Sequence, residues 1–532
     1  MKKINLLLFS IIILSMNGFS QCPDNWAIRS GSDSIEVSRK VVTDNNGNIY
    51  IAGTFKDRTL FDTIALNGYG KKDMFLAKYD ATGKIQWAQY GGGIENEVVS
   101  GLAIGTNNNI YVAGSFQGTA YFGASTITSS GWEDIFLASY NSEGELLWLI
   151  KIGGTGQAYA YGLATDEDDN TYVSGRLNGS PFLNKYNANG VQIWSRQDVL
   201  NGTFPQDVNS DQNGYLYITG GFVGTTNFGS STLTSIGAVD IFIAKFDTAG
   251  NAIWAKQGGG EGWEDWGLGI TTDGDRNVFV TGMFQDTAFF ETDTLIAEID
   301  LWGTGGRDIF IAKYNTTGNL LWVKQSKGTD LSEGWGIATD MEGNAYVTGY
   351  YAGTAYFDSI ILPGTYNTFI DNVFVVKYNA DGRVVWAESA ANGQGHDIAR
   401  SICGDIIVTG SFNDTSVFGA TELISAGLSD VFIWNVCKAE PCSSTNIEEN
   451  LLLVSNYKIY PNPVGNKLFV EYTDAKESLN LTLYNALGQV VHAAAVQDSN
   501  GRYMVDMDNY PKGLYVIQLL DKTGLNAFKI IK

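Results

Sequence analysis

Histidine is almost missing from this chain, with two in 532 residues. His492 falls near the C-terminus, which leaves His396 as the sole imidazole of everything before it. Gly-x-Ser-x-Gly, His-Glu-x-x-His and Walker sequences are also lacking, and with them the commonest sets for nucleophilic, zinc and nucleotide chemistry. Positive charge is scarce: 34 Lys and Arg stand against 57 Asp and Glu, a net charge of −23. Nucleic acid and anionic lipid are poor partners for such a chain, because their phosphates need compensating cations. Long amphipathic patterns of helical period are absent, and proline is limited to 8 residues. What is abundant is glycine, 63 residues, and aromatic side chains, 13%. That composition suits many short strands joined by glycine turns.

The first residues read as an export address. Lys2 and Lys3 precede an apolar run from Ile4 to Met16, and Gly18-Phe19-Ser20 supplies small residues at a cleavage site. Residues 1–20 are therefore expected to be a signal peptide, with the mature chain starting near Gln21. A lipid-anchored Cys22 would need a small residue before it, and Gln21 stands there. No later run approaches the roughly 20 apolar residues that cross a bilayer, so no transmembrane segment is expected in the mature protein, which is expected to be soluble outside the cytoplasm.

Self-comparison gives the dominant signal. Asp44-Asn45-Asn46-Gly47-Asn48-Ile49-Tyr50-Ile51-Ala52-Gly53 returns as Asp340-Met341-Glu342-Gly343-Asn344-Ala345-Tyr346-Val347-Thr348-Gly349. The motif closes seven times, at Gly53, Gly114, Gly175, Gly220, Gly282, Gly349 and Gly410, with spacings of 61, 61, 45, 62, 67 and 61. After each copy comes an apolar strand such as Asp308-Ile309-Phe310-Ile311-Ala312-Lys313-Tyr314, and in most copies then a turn glycine and a tryptophan, as in Gly318 to Trp322. Each unit reads as four antiparallel strands, A to D, with left-handed turn positions between A and B. Units of this kind bury their faces by stacking about an axis. The fold expected for residues 21–442 is thus an all-β, seven-bladed β-propeller.

The ends of the repeat region bear on closure. The seventh unit has strand C at Asp430-Val431-Phe432-Ile433-Trp434 but no strand D tryptophan, whereas Asn25-Trp26-Ala27 is a strand D without a C. Trp26 lies 27 residues before Gly53, as Trp87 does before Gly114. The N-terminal strand is expected to complete the last blade and leave no open sheet edge. Cys22 and Cys437 align across the C–D joint of that blade, and Cys403 of its A–B turn lies on the face that Cys442 approaches. Export favours oxidation, but four cysteines allow three pairings and the sequence fixes none.

With these residues in view, the unit Gly-Leu/Ile-Ala-x-Asp-x-x-Gly-Asn-x-Tyr-Val-x-Gly, then Asp-Ile-Phe-Leu-Ala-Lys-Tyr, then Gly-x-x-x-Trp, resembles the bacterial propeller repeats grouped as SBBP, over about residues 22 to 440. The resemblance implies a fold and transfers no catalytic residue. Strand D, as in Asp80-Ala81-Thr82-Gly83-Lys84-Ile85-Gln86-Trp87, also resembles the tryptophan-docking motif of quinoprotein propellers. Its spacing differs, and it marks blade packing.

Residues 443–456 are polar and read as a linker. Beyond it the repeat stops, and residues 457–532 carry short alternating strands that suit a small β-sandwich. Tyr460-Pro461-Asn462-Pro463, Leu487-Gly488-Gln489-Val490-Val491, Lys512-Gly513-Leu514-Tyr515 and the terminal Lys529-Ile530-Ile531-Lys532 together resemble the type A C-terminal sorting domain of the type IX (Por) secretion system. The family implies passage through the periplasm and outer membrane by that machinery, to a secreted or surface-attached state.

Fourteen residues before each motif glycine stand Arg39, Ser100, Tyr161, Gln206, Leu268, Trp335 and His396, with Trp266 two positions before Leu268. This is the expected entry of strand A, at the channel mouth shared by the D-to-A and B-to-C connections. These positions vary while the scaffold repeats, so Arg39, Tyr161, Gln206, Trp266, Trp335, His396 and Asp397 are the expected ligand-binding set. Aromatic faces beside acids (Trp263, Glu264, Asp265; Glu333, Trp335) suit sugar rings. The plainer reading is that these tryptophans, with Trp132 and Trp302, cap the blades. Seven residues separate Gly175 from Phe182 against 22 between Gly53 and Phe75, so a notch is expected beside Tyr161 in blade three; a neutral loop deletion is the alternative. No catalytic residue, cofactor or metal is expected. Asp166-Glu167-Asp168-Asp169-Asn170 and Asp273-Gly274-Asp275-Arg276-Asn277 offer oxygens at alternate positions, yet sit where Asp and Asn serve the A–B turn. The expected role is a binding or adhesion scaffold for an extracellular glycan or protein. The competing class is a carbohydrate-active hydrolase or lyase using Glu261, Asp265, Asp330, Glu333 or Asp397.

Overall fold

Alternation of buried and exposed residues over seven or eight positions, broken by glycine and Asx turns, produces strands throughout. The computed structural model describes residues 25–436 apart from 198–199, 212, 299–305 and 365–370, and the strands and short connections of the C-terminal region between 457 and 531. All regular structure in it is β, with no helix among the described residues. They divide into two compact units, one within 1–442 and one within 443–532.

The first unit is built from seven antiparallel four-stranded meanders. Their A strands are Glu36–Thr43, Glu97–Ile104, Ala158–Thr165, Thr203–Ser210, Trp266–Thr272, Ser332–Thr339 and Gly393–Arg400. We number the sheets one to seven in that order. In the seventh sheet strand D is Trp26–Ser30, which pairs with Asp430–Val436 in the register Trp26 to Asn435 and Arg29 to Phe432. Each A strand lies beside those of its neighbours, and the A strand of sheet one lies beside that of sheet seven. The contacts recur across these junctions. Thr165 Oγ1 donates to Ile104 O and Thr339 Oγ1 to Thr272 O, each at 2.9 Å, and Thr43 Oγ1 donates to Arg400 O at 3.1 Å.

Tryptophans join the outer parts of the sheets. Trp87, Trp148, Trp194, Trp254 and Trp322 each donate Nε1–H to a carbonyl in the C–D turn of the following sheet, that of Ser142, Ala188, Thr248, Thr316 and Ala380. Each ring lies flat on that turn's glycine, so close that a Cβ at Gly144 would come within 2.9 Å of Trp87. Trp26 of sheet seven also covers Gly83 of sheet one, where a Cβ would come 2.8 Å from its ring, but its buried Nε1–H donates to no carbonyl there among the described residues.

Four strands per unit understates the architecture. Six of the seven sheets carry an extra hairpin between B and C, such as Thr119–Phe122 with Ser125–Thr128 and Thr415–Phe418 with Thr421–Ile424. Its phenylalanine is buried against that of strand C, with ring centroids 4.6 to 5.4 Å apart: Phe61 on Phe75, Phe122 on Phe136, Phe228 on Phe242, Phe290 on Phe310, Phe357 on Phe374, Phe418 on Phe432. Burying one such ring stabilises by about 1.5–3 kcal/mol, which is why the excursion folds back rather than trailing as a loop. Sheet three lacks the hairpin. There Leu177 pairs directly with Ser180, and Asn178 and Gly179 take φ of 52° and 81°, a two-residue turn of the kind Asn-Gly favours.

The second unit holds a three-stranded sheet (Tyr457–Tyr460, Lys467–Tyr472, Arg502–Asp506) and a four-stranded one (Val490–Val496, Leu479–Asn485, Leu514–Asp521, Gly524–Ile531). Leu468, Val470, Leu481, Leu483, Ile517 and Leu519 are buried in one core, as period-two alternation dictates.

Candidate functional site

The seven varying residues expected at the entry of strand A lie inside it instead, at its third or fourth position, because the strand begins earlier than the spacing suggested, and they share one backbone feature. In every sheet the A–B register slips by one residue there: Ser38 pairs with Gly53 and Lys40 with Ala52, leaving Arg39 unpaired. The same slip isolates Ser100, Tyr161, Gln206, Leu268, Trp335 and His396. These are β-bulges, which bend the strand and re-aim a side chain. The bulge also explains the motif glycine. A Cβ on Gly53, Gly114, Gly175, Gly220, Gly282, Gly349 or Gly410 would collide with the carbonyl oxygen of Val37, Val98, Tyr159, Phe204, Trp266, Glu333 or Gln394 respectively. Glycine is repeated because the bulge is repeated.

Trp335 and His396 are brought together, stacked at 5.0 Å with ring planes 17° apart. Trp335 Nε1–H donates to Glu333 Oε2 at 2.8 Å, and its ring meets Tyr350 edge-on at 5.6 Å. Arg307 joins Glu333 Oε1 at 3.3 Å to Glu264 Oε2 at 2.9 Å. Asp371 accepts from Gln394 Nε2 at 2.6 Å. His396 is buried, and its Nδ1 stands 2.7 Å from Ser38 O, which can only accept. Burial, then the charge of Arg39, pushes its pKa down to about 3. The imidazole is therefore held neutral near neutral pH and is a poor general base.

Asp397 sits one residue deeper than the bulge. The same position holds Lys40 in sheet one, Asp207 in sheet four and glycine (Gly101, Gly162, Gly269, Gly336) elsewhere. Where it is glycine the next sheet presses on it: a Cβ at Gly336 would come 2.8 Å from Asp397 Cα. In the two aspartate copies the carboxylate receives the neighbouring backbone instead, Asp397 Oδ2 from Val41 N at 2.9 Å and Asp207 Oδ2 from Ile270 N at 3.0 Å. Burial works against the Lys40 ammonium, but Asp397 and Asp207 hold it above its usual range. Burial raises both carboxyls, with Lys40 opposing. This charged set had only one sign in the sequence, the replacement of a repeated glycine, and was missed apart from Asp397.

The remaining candidates are dispersed. Tyr161 is half-buried, its pKa raised by burial with Arg176 opposing. Arg39 and Gln206 are half-buried at their bulges. Trp266 packs against sheet four: it meets Phe204 edge-on at 5.9 Å and lies where a Cβ of Gly221 would come within 2.8 Å of it. Arg176 covers the Phe204 ring at 4.4 Å beside the shortened turn of sheet three. Of the acids, Asp265 is buried and accepts from Gly260 N and Gln285 N, and Asp330 is buried and accepts from Leu331 N. Burial raises Asp265 to about 7. Glu261 is exposed. Trp132 and Trp263 are the most open of the described tryptophans, 73% and 77% exposed, although their backbones are fixed, Trp132 N to Gly156 O and Trp263 O from Val239 N. Trp302, Cys22, Cys437 and Cys442 lie outside the described residues, and Cys403 occupies the A–B turn of sheet seven.

The acidic turns are engaged by their own backbone. Asp166 accepts from Asn170 and from Tyr172 OH and lies 3.2 Å from Lys185 Nζ. Asp273 accepts from Asn277 and lies 3.4 Å from Lys313 Nζ.

Residues 458–532 match the family described as the secretion system C-terminal sorting domain. The chain thus carries the sorting signal of the type IX system, consistent with a secreted or cell-surface protein. Over 458 residues, 74% of its length, the chain is 27% identical to an uncharacterized WD repeat-containing protein of Acanthamoeba polyphaga mimivirus. Over 150 residues, 27% of its length, it is 28% identical to the regulatory protein FlaEY of Caulobacter vibrioides. It spans 30% and 16% of the lengths of these two relatives. Among solved structures it is similar to a Lactobacillus plantarum protein, with 12% identity, TM-score 0.39, and 72% of this chain and 98% of that one covered. It is similar also to Drosophila Plexin A in complex with Semaphorin 1b, with 8% identity, TM-score 0.35, and coverage of 76% and 88%.

Proposed function

We propose that the first unit is a closed seven-bladed propeller of the SBBP kind, and that it serves outside the cell as a non-catalytic scaffold binding an extracellular glycan. Closure rests on the strand Trp26–Ser30 and on the Trp26 ring over Gly83. Trp26→Ala is expected to cost about 2–3 kcal/mol in urea unfolding. A loss below about 0.5 kcal/mol, the level of an ordinary surface change, sinks the closed ring.

The binding reading is carried by Trp132 and Trp263. Both indoles stand open to solvent on connections of the D-to-A and B-to-C face, with their backbones fixed across sheet junctions. A large rigid indole held open to solvent is available as a contact surface, and its face fits the C–H face of a sugar. The hydrolase or lyase reading finds four of its five acids already engaged, Asp265 by two N–H groups, Asp330 by Leu331 N, Glu333 by Arg307 and Trp335, and Asp397 by Val41, which leaves only the exposed Glu261. On a panel of immobilised glycans, the exported chain is expected to retain a subset, and Trp132→Ala and Trp263→Ala each to weaken that retention about tenfold, near 1.4 kcal/mol, at unchanged melting temperature. Retention indifferent to both substitutions contradicts the site, and release of shortened sugars moves the chain to the enzyme class.

A further inference from the structure

The geometry points to an oxyanion-binding site at the A–B turns, on the side opposite Trp132 and Trp263, built by two arginines that depart from the repeat. The left-handed turn position is Gly47, Asn108, Asp169, Gly214, Gly343 and Gly404 in six sheets, with φ between 59° and 91°. In sheet five it is Arg276, at φ 63°. Asn, Asp and Gly tolerate that region; a long side chain is strained there, and such strain persists where a side chain is needed in place. The last residue of strand A is threonine, serine or isoleucine in six sheets, and Arg400 in the seventh.

Both departures meet in one cavity of about 180 Å³, lined by Arg276 and Arg400 together with Ser210, Thr272 and Thr339. Arg400 Nε is buried without a partner, and the Arg276 side chain makes no hydrogen bond or ion pair among the described residues. Asp405 feels the charge of Arg400 but forms no ion pair with it.

Three carboxylates also border the cavity, and each is directed into its own turn. Asp211 accepts from Asn213 N, Tyr215 N and Tyr217 OH. Asp340 accepts from Glu342 N, Asn344 and Tyr346 OH. Asp273 is taken by Asn277 and Lys313. The turn acids keep their charge, but Lys313 lies 3.4 Å from Asp273 and Lys245 lies in the field of Asp211, so two ammonium and two guanidinium groups face three carboxylates and the exposed Arg276 and half-buried Arg400 are left to meet a ligand. Guanidinium forks match the planar or tetrahedral oxygens of carboxylate, sulfate and phosphate. The ligand class is a small oxyanion, free or as a group on a larger acidic molecule.

The test uses the full exported chain and thermal unfolding with sodium sulfate and sodium phosphate, against sodium chloride at matched ionic strength, then with glucose 6-sulfate and methyl glucuronide. A saturable rise in melting temperature is expected for at least one anion. Arg276→Gly, which restores the repeat, is expected to melt higher without anion because the left-handed strain is relieved, and to lose the saturable rise; Arg400→Thr is expected to weaken it at least tenfold. A response to inorganic ions alone assigns a free-ion site, and a response to the sugar derivatives assigns a group on a larger ligand. No saturable rise in the unsubstituted chain, or the same rise in both variants, overturns the site and leaves the glycan reading of the other face untouched.

Discussion

Gly349→Ala is expected to abolish stable folding of sheet six, or to lower unfolding free energy by about 3–5 kcal/mol where the chain still folds. The new methyl group would collide with Glu333 O across the bulge and stand 2.9 Å from Phe374 Cε1. Backbone and a fully buried ring leave it nowhere to go. Gly154→Ala is the control, since nothing lies within 4 Å of a Cβ there, and a change within about 0.5 kcal/mol is expected. Urea unfolding followed by tryptophan fluorescence measures both, and equal midpoints for the two variants would falsify the bulge as the reason for the glycine motif.

Stability is expected to be greatest in mild acid and to fall steadily as pH rises from about 4.5 to 8. The cause is a set of buried carboxyl groups at the starts of strands A and C, which outnumber His396, whose lowered pKa acts in the opposite sense below about 6.5. Glu97 is raised to about 8, by burial first and then by the nearby charges of Asp73 and Glu95, with Gly93 N opposing. Burial likewise raises Glu36, Asp265 and Asp308 to about 7 and Asp73 to about 6. In this window the unfolded chain releases these protons while the folded chain keeps them, so each rise in pH favours unfolding. The penalty is roughly 1.4 kcal/mol for each unit of displacement, taken as an order of magnitude. Glu97→Gln keeps an acceptor for Gly93 N and removes the titration. Its melting temperature is expected to match the unsubstituted chain near pH 5 and to exceed it clearly at pH 8.5. Parallel melting curves for the two chains across that range would remove Glu97 from the account.

The repeat and the docked tryptophans could be read in advance because each is local. A glycine, an Asx turn and an aromatic at a fixed spacing state the same requirement seven times, and Trp26 is recognisable because its distance from Gly53 repeats an interval. The B–C hairpins were nearly as repetitive, as Thr-x-x-Phe in five of the six and Arg58-x-x-Phe61 in the first, but the turn residue after the phenylalanine changes from Gly123 to Asp62 to Glu291. A pattern keyed to glycine passes over them. The terminal sorting domain was readable because its motifs stand together in order.

The candidate site fared differently for the same physical reason. Spacing located all seven bulge positions, since a bulge is a matter of chain length between paired residues. It did not show that His396 turns inward onto Ser38, that Trp266 serves the neighbouring sheet, or that Trp132 and Trp263 stay open. Those outcomes depend on which surfaces meet between sheets, and the sheets that meet at Asp397 and Val41 are encoded more than three hundred residues apart.

By itself, then, the sequence determined the strands, their order within each unit, the positions that demand glycine and the export signal at its end, all set by backbone sterics and hydrophobic alternation over a few residues. Only the tertiary structure decided which charges share a space: Lys40 with Asp207 and Asp397, Glu97 with Asp73, Arg276 with Arg400. Electrostatic interaction depends on distance and burial, and neither is fixed until remote strands pack against one another.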